Sequence, residues 1–327
     1  MSWAGKRVLV TGAGGFIGSH LTESLVSLGA ATRALVHYRG DGAWGWLDGS
    51  PVKDGVQIIV GDVRDQDQLR EAMRGVDVVF HLAALIGIPY SYQAPRSYID
   101  TNVVGTLNVL QLARELEVRR VVQTSTSEVY GTARTVPIAE SHPLQAQSPY
   151  AASKVGADKL AESFHLSFGL PVVTVRPFNT FGPRQSARAV IPTIITQCLN
   201  DGRIRLGNTR PTRDVNFVAN VVQAFVRAAE VDAAIGQVIN VGSGREVSIG
   251  QLAELIGQLA EVPVTVDTES QRVRPAASEV ERLVADNTLA RTLLGWEPAV
   301  GLEEGLGLTI EWFREHLDGY RPGAYAV

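Results

Sequence analysis

The sequence predicts a doubly wound α/β fold, in which helices cover both faces of a parallel sheet. Two observations support this prediction. In the first half of the 327-residue chain, short apolar runs rich in β-branched residues alternate with longer segments of helical period. Hydrophobic residues make up 45% of the chain, which is enough to fill the large core of such a layered fold.

Six apolar runs are predicted to be the parallel strands. They are Arg7 to Thr11, Thr32 to Val36, Val56 to Val60, Val76 to His81, Arg119 to Thr124 and Pro171 to Arg176. Four segments between them repeat apolar residues three and four apart, which is the spacing of one buried helical face. They are Phe16 to Leu28, Gln66 to Met73, Ala94 to Leu116 and Tyr150 to Phe168.

Beyond about Asn179 the regular alternation weakens. Loops rich in Pro, Arg and Gly alternate there with helices such as Ile249 to Leu259; the loops are Phe181 to Arg188, Gly207 to Asp214 and Ser270 to Glu279. We therefore expect a large dinucleotide-binding domain over residues 1–178. Residues 179–327 are expected to form mainly a smaller C-terminal lobe that binds the substrate, with some segments returning to the sheet.

Composition excludes several classes of function. The chain has 30 basic and 34 acidic residues, so its net charge of -4 gives no reason to expect nucleic acid or an anionic membrane as a partner. The single cysteine, Cys198, cannot form an intrachain disulfide and is expected to be buried. No signal-peptide pattern or membrane-length apolar run is present, so we expect a cytoplasmic protein, and no metal site is predicted.

A glycine-rich turn joins the first predicted strand to the first predicted helix. Gly12, Gly15 and Gly18 have the spacing of a Rossmann domain that binds NAD or NADP. Gly12 would permit the tight turn, Gly15 the approach of the pyrophosphate, and Gly18 the packing of the helix on the sheet. Backbone N–H groups at the helix start, at Phe16 and Ile17, would bind phosphate. The alternative is a tight turn without a ligand.

Other strand ends offer further contacts to a dinucleotide. Asp62, followed by Val63, comes after the third strand, and its carboxylate is expected to accept a hydrogen bond from an adenine amino group. After the fourth strand, Leu82, Ala83 and Ala84 would let the backbone pass close to a ribose or the nicotinamide.

The end of the second strand lacks the acidic residue that commonly binds the adenosine ribose of NAD. His37 and Arg39 stand there instead. Arg39 would bind the 2'-phosphate of NADP, or it is an exposed loop arginine. The sequence leaves the choice between NAD and NADP open.

Catalytic candidates lie on the fifth strand end and the helix after it. Tyr150 and Lys154 are four residues apart on one helical face. The Lys154 ammonium is expected to lower the pKa of Tyr150, so that the phenolate accepts a proton from a sugar hydroxyl while hydride leaves for the nicotinamide. Thr126, Ser127 and Glu128 lie at the carboxyl edge of the sheet, where open α/β folds bind ligands. For Glu128, a solvated carboxylate or a helix cap is the alternative.

These residues resemble those of the extended short-chain dehydrogenases/reductases of the nucleotide-sugar epimerase and dehydratase group. The likeness spans nearly the whole chain, through Thr11-Gly12, Asp62-Val63, Asn102 to Thr106, Tyr150 to Lys154, Arg176 to Asn179, Arg213-Asp214 and Leu294 to Pro298. The resemblance implies that Thr126, Tyr150 and Lys154 act on the hydroxyl that is oxidised to a ketone. It also implies that Lys154 binds the nicotinamide ribose and places Asn102 at the cofactor.

The residue at Glu128 indicates a subclass. The resemblance implies that 4,6-dehydratases carry an acid there as the base for the C5 proton, whereas 4-epimerases usually lack one. Ser127 replaces the aspartate of many dehydratases and matches the Thr-Ser-Glu arrangement of the GDP-mannose 4,6-dehydratase type. Whether Glu128 acts alone or with Ser127 on the leaving hydroxyl stays open. The runs Ile88 to Tyr92 and Pro183 to Arg188 also resemble the 4,6-dehydratases of the legionaminic acid pathway.

The implied substrate is a nucleotide-diphosphate sugar, which requires cations and polar groups at the phosphates. Matching family positions assign this role to Arg213 and Arg274, and Asn179 is expected to bond a phosphate or the sugar. The resemblance places the backbone at Val190 against the nucleotide base. The implied NAD or NADP is tightly bound and recycled in each turnover, and a homodimer is expected. A 4-epimerase remains an alternative. A non-catalytic dinucleotide-binding regulator is a remote one, because Tyr150 and Lys154 are both intact.

Overall fold

The computed structural model describes residues 2–273 and 275–321. Its strands are β1 Arg7–Thr11, β2 Ala31–Val36, β3 Val56–Val60, β4 Val78–His81, β5 Arg120–Thr124, β6 Val172–Pro177, β7 Asn179–Phe181, β8 Arg203–Leu206, β9 Thr212–Arg213, β10 Val215–Phe217, β11 Val238–Val241, β12 Val247–Ser248, β13 Thr265–Thr268 and β14 Arg282–Leu283. Its α-helices are α1 Phe16–Ser27, α2 Gln66–Met73, α3 Ile88–Gln93, α4 Pro95–Tyr98, α5 Gly105–Glu115, α6 Pro149–Phe168, α7 Val190–Asp201, α8 Val218–Glu230, α9 Ile249–Ala260, α10 Thr288–Leu294 and α11 Leu302–His316.

Seven strands form the main sheet, in the order β11-β6-β5-β4-β1-β2-β3, and each pair of adjacent strands is parallel. The six predicted strands are confirmed, each within two residues of its predicted start. The seventh, β11, comes from the second half of the chain and pairs with β6 at the sheet edge. It has four residues, as β4 has, and its place in the sheet depends on pairing with the distant β6.

Helices lie on both faces of this sheet, so the predicted doubly wound Rossmann fold is confirmed. Side chains of one strand point alternately to the two faces. Accordingly, Val8 and Val10 belong to the apolar core beneath α1 and α8, whereas Leu9 belongs to the core beneath α2, α5 and α6.

The sequence predicts one helix from Ala94 to Leu116, but the structure divides this segment into three elements. Ala94 leaves the helical conformation, and Pro95, which lacks a backbone N–H, starts the short helix α4. A π-helical turn, Ile99–Val104, then leads into α5. This wide turn contains Asn102, whose amide group bonds to the backbone of Leu85 on both sides, at 2.9 Å each.

Helix α6 begins and ends at residues that favour helix termini. The hydroxyl of Ser148 accepts a hydrogen bond from the N–H of Ala151 at 3.1 Å, and Pro149 occupies the first helical position. Gly169, with φ +66°, ends the helix in the left-handed conformation. Tyr150 and Lys154 therefore lie in its first two turns.

The second half of the chain forms three small sheets, of β7 with β10, of β8 with β13, and of β9 with β12 and β14. Helices α7, α9 and α11 pack together beside them, and α8 contacts α1 across the main core. Among the described helices, none has both the length and the apolar character needed to cross a membrane.

Candidate active site

The glycine turn lies where the strand order of the sheet reverses, because β1 stands between β2 and β4. The Thr11 hydroxyl accepts hydrogen bonds from the backbone N–H groups of Leu82 and Ala83, both at 3.1 Å. It also lies 2.8 Å from Nδ1 of the buried His81. These bonds hold the two strand ends together, and open α/β sheets bind their ligands at such a crevice.

A cavity of about 720 Å3 extends from this crevice towards the second half of the chain. The predicted site residues that line it are Gly12, Gly15, Phe16, Ile17, Gly18, His37, Arg39, Leu82, Ala83, Ala84, Thr126, Ser127, Glu128, Tyr150, Lys154, Asn179, Val190 and Arg213. Asp62, Val63 and Asn102 do not line it. Arg274 lies outside the described residues.

The glycines of the turn are tied to their places by close backbone contacts. Gly12 has φ +69°, and a Cβ there would lie 2.8 Å from the backbone nitrogen of Ala83. A Cβ on Gly18 would lie 2.2 Å from the carbonyl oxygen of Gly12, whereas one on Gly15 would lie 3.2 Å from it. A side chain on Gly12 or Gly18 would thus overlap the backbone of the protein. A side chain on Gly15 would meet the protein less closely, so this glycine leaves room for a ligand.

The start of α1 fits a dinucleotide pyrophosphate. Gly15 is the N-cap, no side chain caps the helix, and its first turn holds no acidic residue. The first N–H groups of a helix have no partner within the helix and bear its positive dipole end. Phe16, Ile17 and Gly18 line the cavity at this point, so their N–H groups would bind the phosphates of a dinucleotide.

β2 ends at Val36 without an acidic residue. The structure does not decide whether Arg39 would bind the 2'-phosphate of NADP or is an exposed loop arginine. The guanidinium of Arg39 pairs with Asp41 at 2.8 Å, and about half of each side chain is exposed. Asp62 bonds to Arg64, and the His37 ring lies 3.6 Å from its carboxylate. The proposed adenine contact of Asp62 remains a prediction.

Tyr150 is buried at the floor of the cavity, and its pKa is raised by burial, not lowered as the sequence predicts. A hydrogen bond with the Thr126 side chain lowers the pKa of Tyr150, but the nearby Glu128 carboxylate adds to the increase. The Lys154 ammonium does not lower the pKa of Tyr150 as expected, because it bonds to a backbone carbonyl of β5. Its Nζ donates to the backbone oxygen of Thr124 at 2.6 Å.

Lys154 itself has a pKa lowered by burial to about 8, and the charge of Asp158 opposes this decrease. Its neighbour His81 is neutral, because burial lowers the pKa of that imidazole to about 3. Lys154 is therefore a cation near neutral pH that loses its charge in mildly alkaline solution.

Glu128 lies on a single 3-10 turn, Ser127–Tyr130, that follows β5. The hydroxyl of Thr126 caps this turn by accepting from the N–H of Glu128 at 3.2 Å. Glu128 is half-buried in the cavity wall, whereas Ser127 is 3% exposed. The cap thus involves the Glu128 backbone and leaves its carboxylate to the cavity, close enough to Tyr150 to affect its pKa.

A buried ion pair lies behind the catalytic candidates. Asp158 and Arg176 are 2.9 Å apart, with side chains 3% and 5% exposed. The same Asp158 oxygen accepts from the Ser125 hydroxyl at 2.7 Å, and Arg176 donates to the Tyr130 hydroxyl at 2.8 Å. The pair therefore connects α6, β6 and the end of β5.

The far end of the cavity holds the remaining substrate candidates. Oδ1 of Asn179 is buried without a hydrogen-bond partner among the described residues, and Val190 starts α7. Nη2 of Arg213 lies 3.4 Å from Oε1 of Glu279, and its side chain is 8% exposed. An unbonded amide oxygen and a buried cation suit the polar part of a ligand.

Residues 9–309 match the family model described as GDP-mannose 4,6 dehydratase. The chain belongs to this family. It is therefore a member of the nucleotide-sugar epimerase and dehydratase group of extended short-chain dehydrogenases/reductases, as the motifs predict, and an enzyme of sugar-nucleotide metabolism.

Relatives of this family member catalyse several reactions. A UDP-glucose 4-epimerase of Mycolicibacterium smegmatis is 36% identical, with 94% of this chain and 98% of that protein covered. A UDP-N-acetyl-alpha-D-glucosaminuronate decarboxylase of Bacillus cytotoxicus is 34% identical, with coverages of 95% and 98%. Among solved structures, the dTDP-glucose 4,6-dehydratase DesIV of Streptomyces venezuelae, with NAD bound, matches with a TM-score of 0.87, 30% identity and coverages of 96% and 98%.

Sequence reasoning missed a loop that covers the glycine turn of this family member. The N–H of Trp46 donates to the carbonyl oxygen of Gly14 at 3.0 Å, and a Cβ on Gly14 would lie 2.3 Å from the oxygen of Trp44. Gly45, with φ +71°, allows this approach. The available signal is Gly14 in Gly12-Ala13-Gly14-Gly15, because this glycine is not one of the three that form the Rossmann spacing.

Proposed function

We propose that this enzyme is an NAD(P)-dependent nucleotide-sugar 4,6-dehydratase, which converts an NDP-hexose or NDP-N-acetylhexosamine to its 4-keto-6-deoxy product. The observation that supports the proposal is the position of Glu128. Its carboxylate is on the cavity wall beside Tyr150, while its backbone forms the cap with Thr126. A base near the hydroxyl-oxidising pair is what elimination requires in addition to oxidation.

The bound dinucleotide would accept a hydride from C4 of the sugar and return it to C6. Tyr150 is proposed to accept the C4 hydroxyl proton as a phenolate, for which the charge of the oxidised nicotinamide would lower the pKa that burial raises; the Thr126 hydroxyl acts in the same direction. Lys154, held at the Thr124 carbonyl, would provide a cationic donor for the ribose.

Glu128 removes the C5 proton, which the neighbouring C4 ketone has made acidic. The C6 hydroxyl then leaves with a proton as water, so that a C5–C6 double bond forms. Hydride at C6 and a proton at C5 complete the product, and no external reductant is consumed. Glu128 passes the proton that it takes from C5 to the leaving hydroxyl, and then delivers a solvent proton to C5. The C4 hydroxyl proton that Tyr150 takes returns to solvent, so the protons balance.

The cofactor is proposed to stay bound through turnover, since it is regenerated in each cycle. NAD and NADP both remain candidates, because Arg39 lies at the cavity with Asp41 as a partner that a 2'-phosphate would replace. For the substrate, Asn179, Val190 and Arg213 are proposed to bind the nucleotide-diphosphate part, and Arg274 is proposed with them by its family position.

A 4-epimerase is the second candidate. Two observations favour it: Ser127 replaces the acid of many dehydratases, and the relative with 36% identity is an epimerase. Both reactions begin with the same oxidation at C4. They differ in whether the product keeps its mass or loses one water.

The deciding experiment supplies purified enzyme with UDP-, GDP- and dTDP-sugars and measures product mass. We expect loss of one water; an epimer of unchanged mass would exclude the dehydratase. Glu128→Gln is expected to retain C4 oxidation while elimination slows by about 100- to 10,000-fold. The control Ser127→Ala is expected to slow elimination by no more than about tenfold, the loss typical of one hydrogen bond. Equal effects of both variants would count against Glu128 as the base.

We also propose a homodimer through α5 and α6. These helices pack against each other, and exposed apolar side chains lie near them: Ile99 at 42%, Val104 at 39%, Leu166 at 75% and Phe168 at 50% exposure. Exposed apolar side chains along a pair of packed helices are typical of an interface. Light scattering is expected to give twice the mass of one chain, and Leu166→Glu is expected to reduce it; a single-chain mass for the unaltered protein contradicts the dimer.

A further inference from the structure

The side chain of Asp158 follows Tyr150 and Lys154 on the same face of α6, at intervals of four residues. It is 4% exposed and makes no contact with the cavity. One oxygen, Oδ2, accepts from Nε and Nη2 of Arg176 at 3.1 and 2.9 Å and from the hydroxyl of Ser125 at 2.7 Å. Oδ1 is buried and has no hydrogen-bond partner among the described residues.

Ser125 connects Asp158 to the two groups that hold the catalytic pair. The residue before it, Thr124, provides the carbonyl oxygen that accepts from Lys154 Nζ at 2.6 Å. The residue after it, Thr126, provides the hydroxyl that bonds to Tyr150. A hydrogen bond on Ser125 therefore fixes the backbone segment on which both catalytic side chains depend.

Charge is the second link between Asp158 and Lys154. The groups that interact with Lys154 are Asp158 on α6, His81 on β4 and the Thr124 carbonyl on β5, and Tyr150 lies one helical turn before it. His81 is neutral and Tyr150 is protonated near neutral pH, because burial lowers the pKa of the first and raises that of the second. Asp158 is thus the anion that opposes the loss of the Lys154 proton.

We propose that Asp158 is a positioning residue of the active site: its buried carboxylate fixes Ser125 between the partners of Lys154 and Tyr150 and keeps Lys154 charged. Arg176 has a supporting role, since it neutralises the buried carboxylate and donates to Tyr130 at the end of the Glu128 turn. This inference rests on the proposed function in that it takes Tyr150 and Lys154 as catalytic.

The first test compares Asp158→Asn with Asp232→Asn. Asp232 also pairs with a buried arginine, Arg120, at 2.6 Å, but its side chain is 86% exposed, whereas Asp158 is buried and bonds to Ser125. In Asp158→Asn, the rate of nicotinamide reduction on mixing with nucleotide sugar is expected to fall at high pH with a midpoint about one pH unit lower than in the unaltered enzyme. We expect kcat near pH 8 to fall about fivefold with KM changed less than about threefold. Asp232→Asn is expected to keep the original midpoint.

Two further variants keep the test decisive. Asp158→Asn with Arg176→Gln removes both buried charges, so it avoids the unpaired arginine that could prevent folding, and the same lower midpoint is expected. Asp158→Glu keeps the charge and is expected to restore the midpoint of the unaltered enzyme. An unchanged midpoint in the double variant, or the same decrease in Asp158→Glu as in Asp158→Asn, would overturn the proposal.

A measurement without nucleotide separates this proposal from the proposed function. A lysine whose pKa is lower in the folded than in the unfolded chain makes the free energy of unfolding rise with pH above the folded-state pKa. For Asp158→Asn this rise is expected to begin at a lower pH than for Asp232→Asn; identical pH dependence would refute the charge effect. Nicotinamide reduction is common to dehydration and epimerisation, so a product of unchanged mass would overturn the dehydratase and leave the Asp158 comparison valid.

Discussion

The indole ring of Trp46 meets that of Trp312 edge to face, with 5.4 Å between the ring centroids. Trp46 also donates its backbone N–H to Gly14, while Trp312 stacks on His316 at 4.2 Å in the C-terminal helix α11. The loop over the glycine turn is thereby fixed to a helix more than 260 residues away in the sequence. This contact connects the loop that covers Gly14 to the second half of the chain.

Trp46→Ala is expected to accelerate release of bound nucleotide about tenfold, because an aromatic pair contributes about 0.5–1.5 kcal/mol beyond its buried area. The measurement is the loss of nucleotide from loaded enzyme after rapid dilution. Tyr38→Ala is the matched control, since Tyr38 is nearby in the chain but its side chain is 72% exposed. Equal release rates for the two variants would show that the aromatic contact does not retain the nucleotide.

Gly18→Ala and Gly15→Ala are expected to separate packing from ligand binding. The Gly18 methyl group would lie 2.2 Å from the Gly12 oxygen, so we expect a loss of about 1–3 kcal/mol in the free energy of unfolding. The Gly15 methyl group would lie 3.2 Å from the same oxygen, so a loss below about 1 kcal/mol is expected, with weaker nucleotide binding. Urea unfolding and nucleotide titration measure the two effects. A larger loss of stability for Gly15→Ala would contradict the geometry.

The rate of nicotinamide reduction is expected to decrease above about pH 8, where Lys154 loses its proton. The sign follows from burial, which lowers the pKa of Lys154 below its ordinary value of 10.5, so the cation is present below pH 8 and absent above it. Stopped-flow absorbance over a pH series measures this midpoint. Lys159→Met, on the same helix but 60% exposed, is expected to leave it unchanged, whereas Lys154→Met should abolish the pH-dependent step together with most of the rate. A midpoint near 10 would contradict the assignment to Lys154.

Local patterns were sufficient to predict much of the fold and the juxtaposition of Tyr150 and Lys154 on one helical face. Tyr150 and Lys154 lie on one face because the helical period places residues four apart together, whatever the tertiary context. The turn at Gly12 was predictable because the spacing of Gly12, Gly15 and Gly18 follows from close backbone contacts within the turn. The six strands are long enough to show their apolar pattern.

Features that depend on distant segments could not be predicted from these patterns. The pKa of Tyr150 is set by burial, and the direction of Lys154 is set by a carbonyl on β5, neither of which the helix sequence contains. The π-helical turn depends on Pro95 and on the bonds of Asn102 to Leu85. Strand β11 pairs with β6 across more than 60 intervening residues.

The pairing of β11 with β6 limits how this protein can be recombined with its relatives. A chimera that joins residues 1–178 to the remainder of another family member takes the sheet edge Val238–Val241 from that donor, so the hybrid must form the parallel ladder from two unrelated histories. An exchange of the segments on both sides of β11 that keeps this sheet therefore needs three junctions: after residue 178, before Val238 and after Val241. A unit that can be exchanged without altering the main sheet is a set of separated segments, not a contiguous half of the gene.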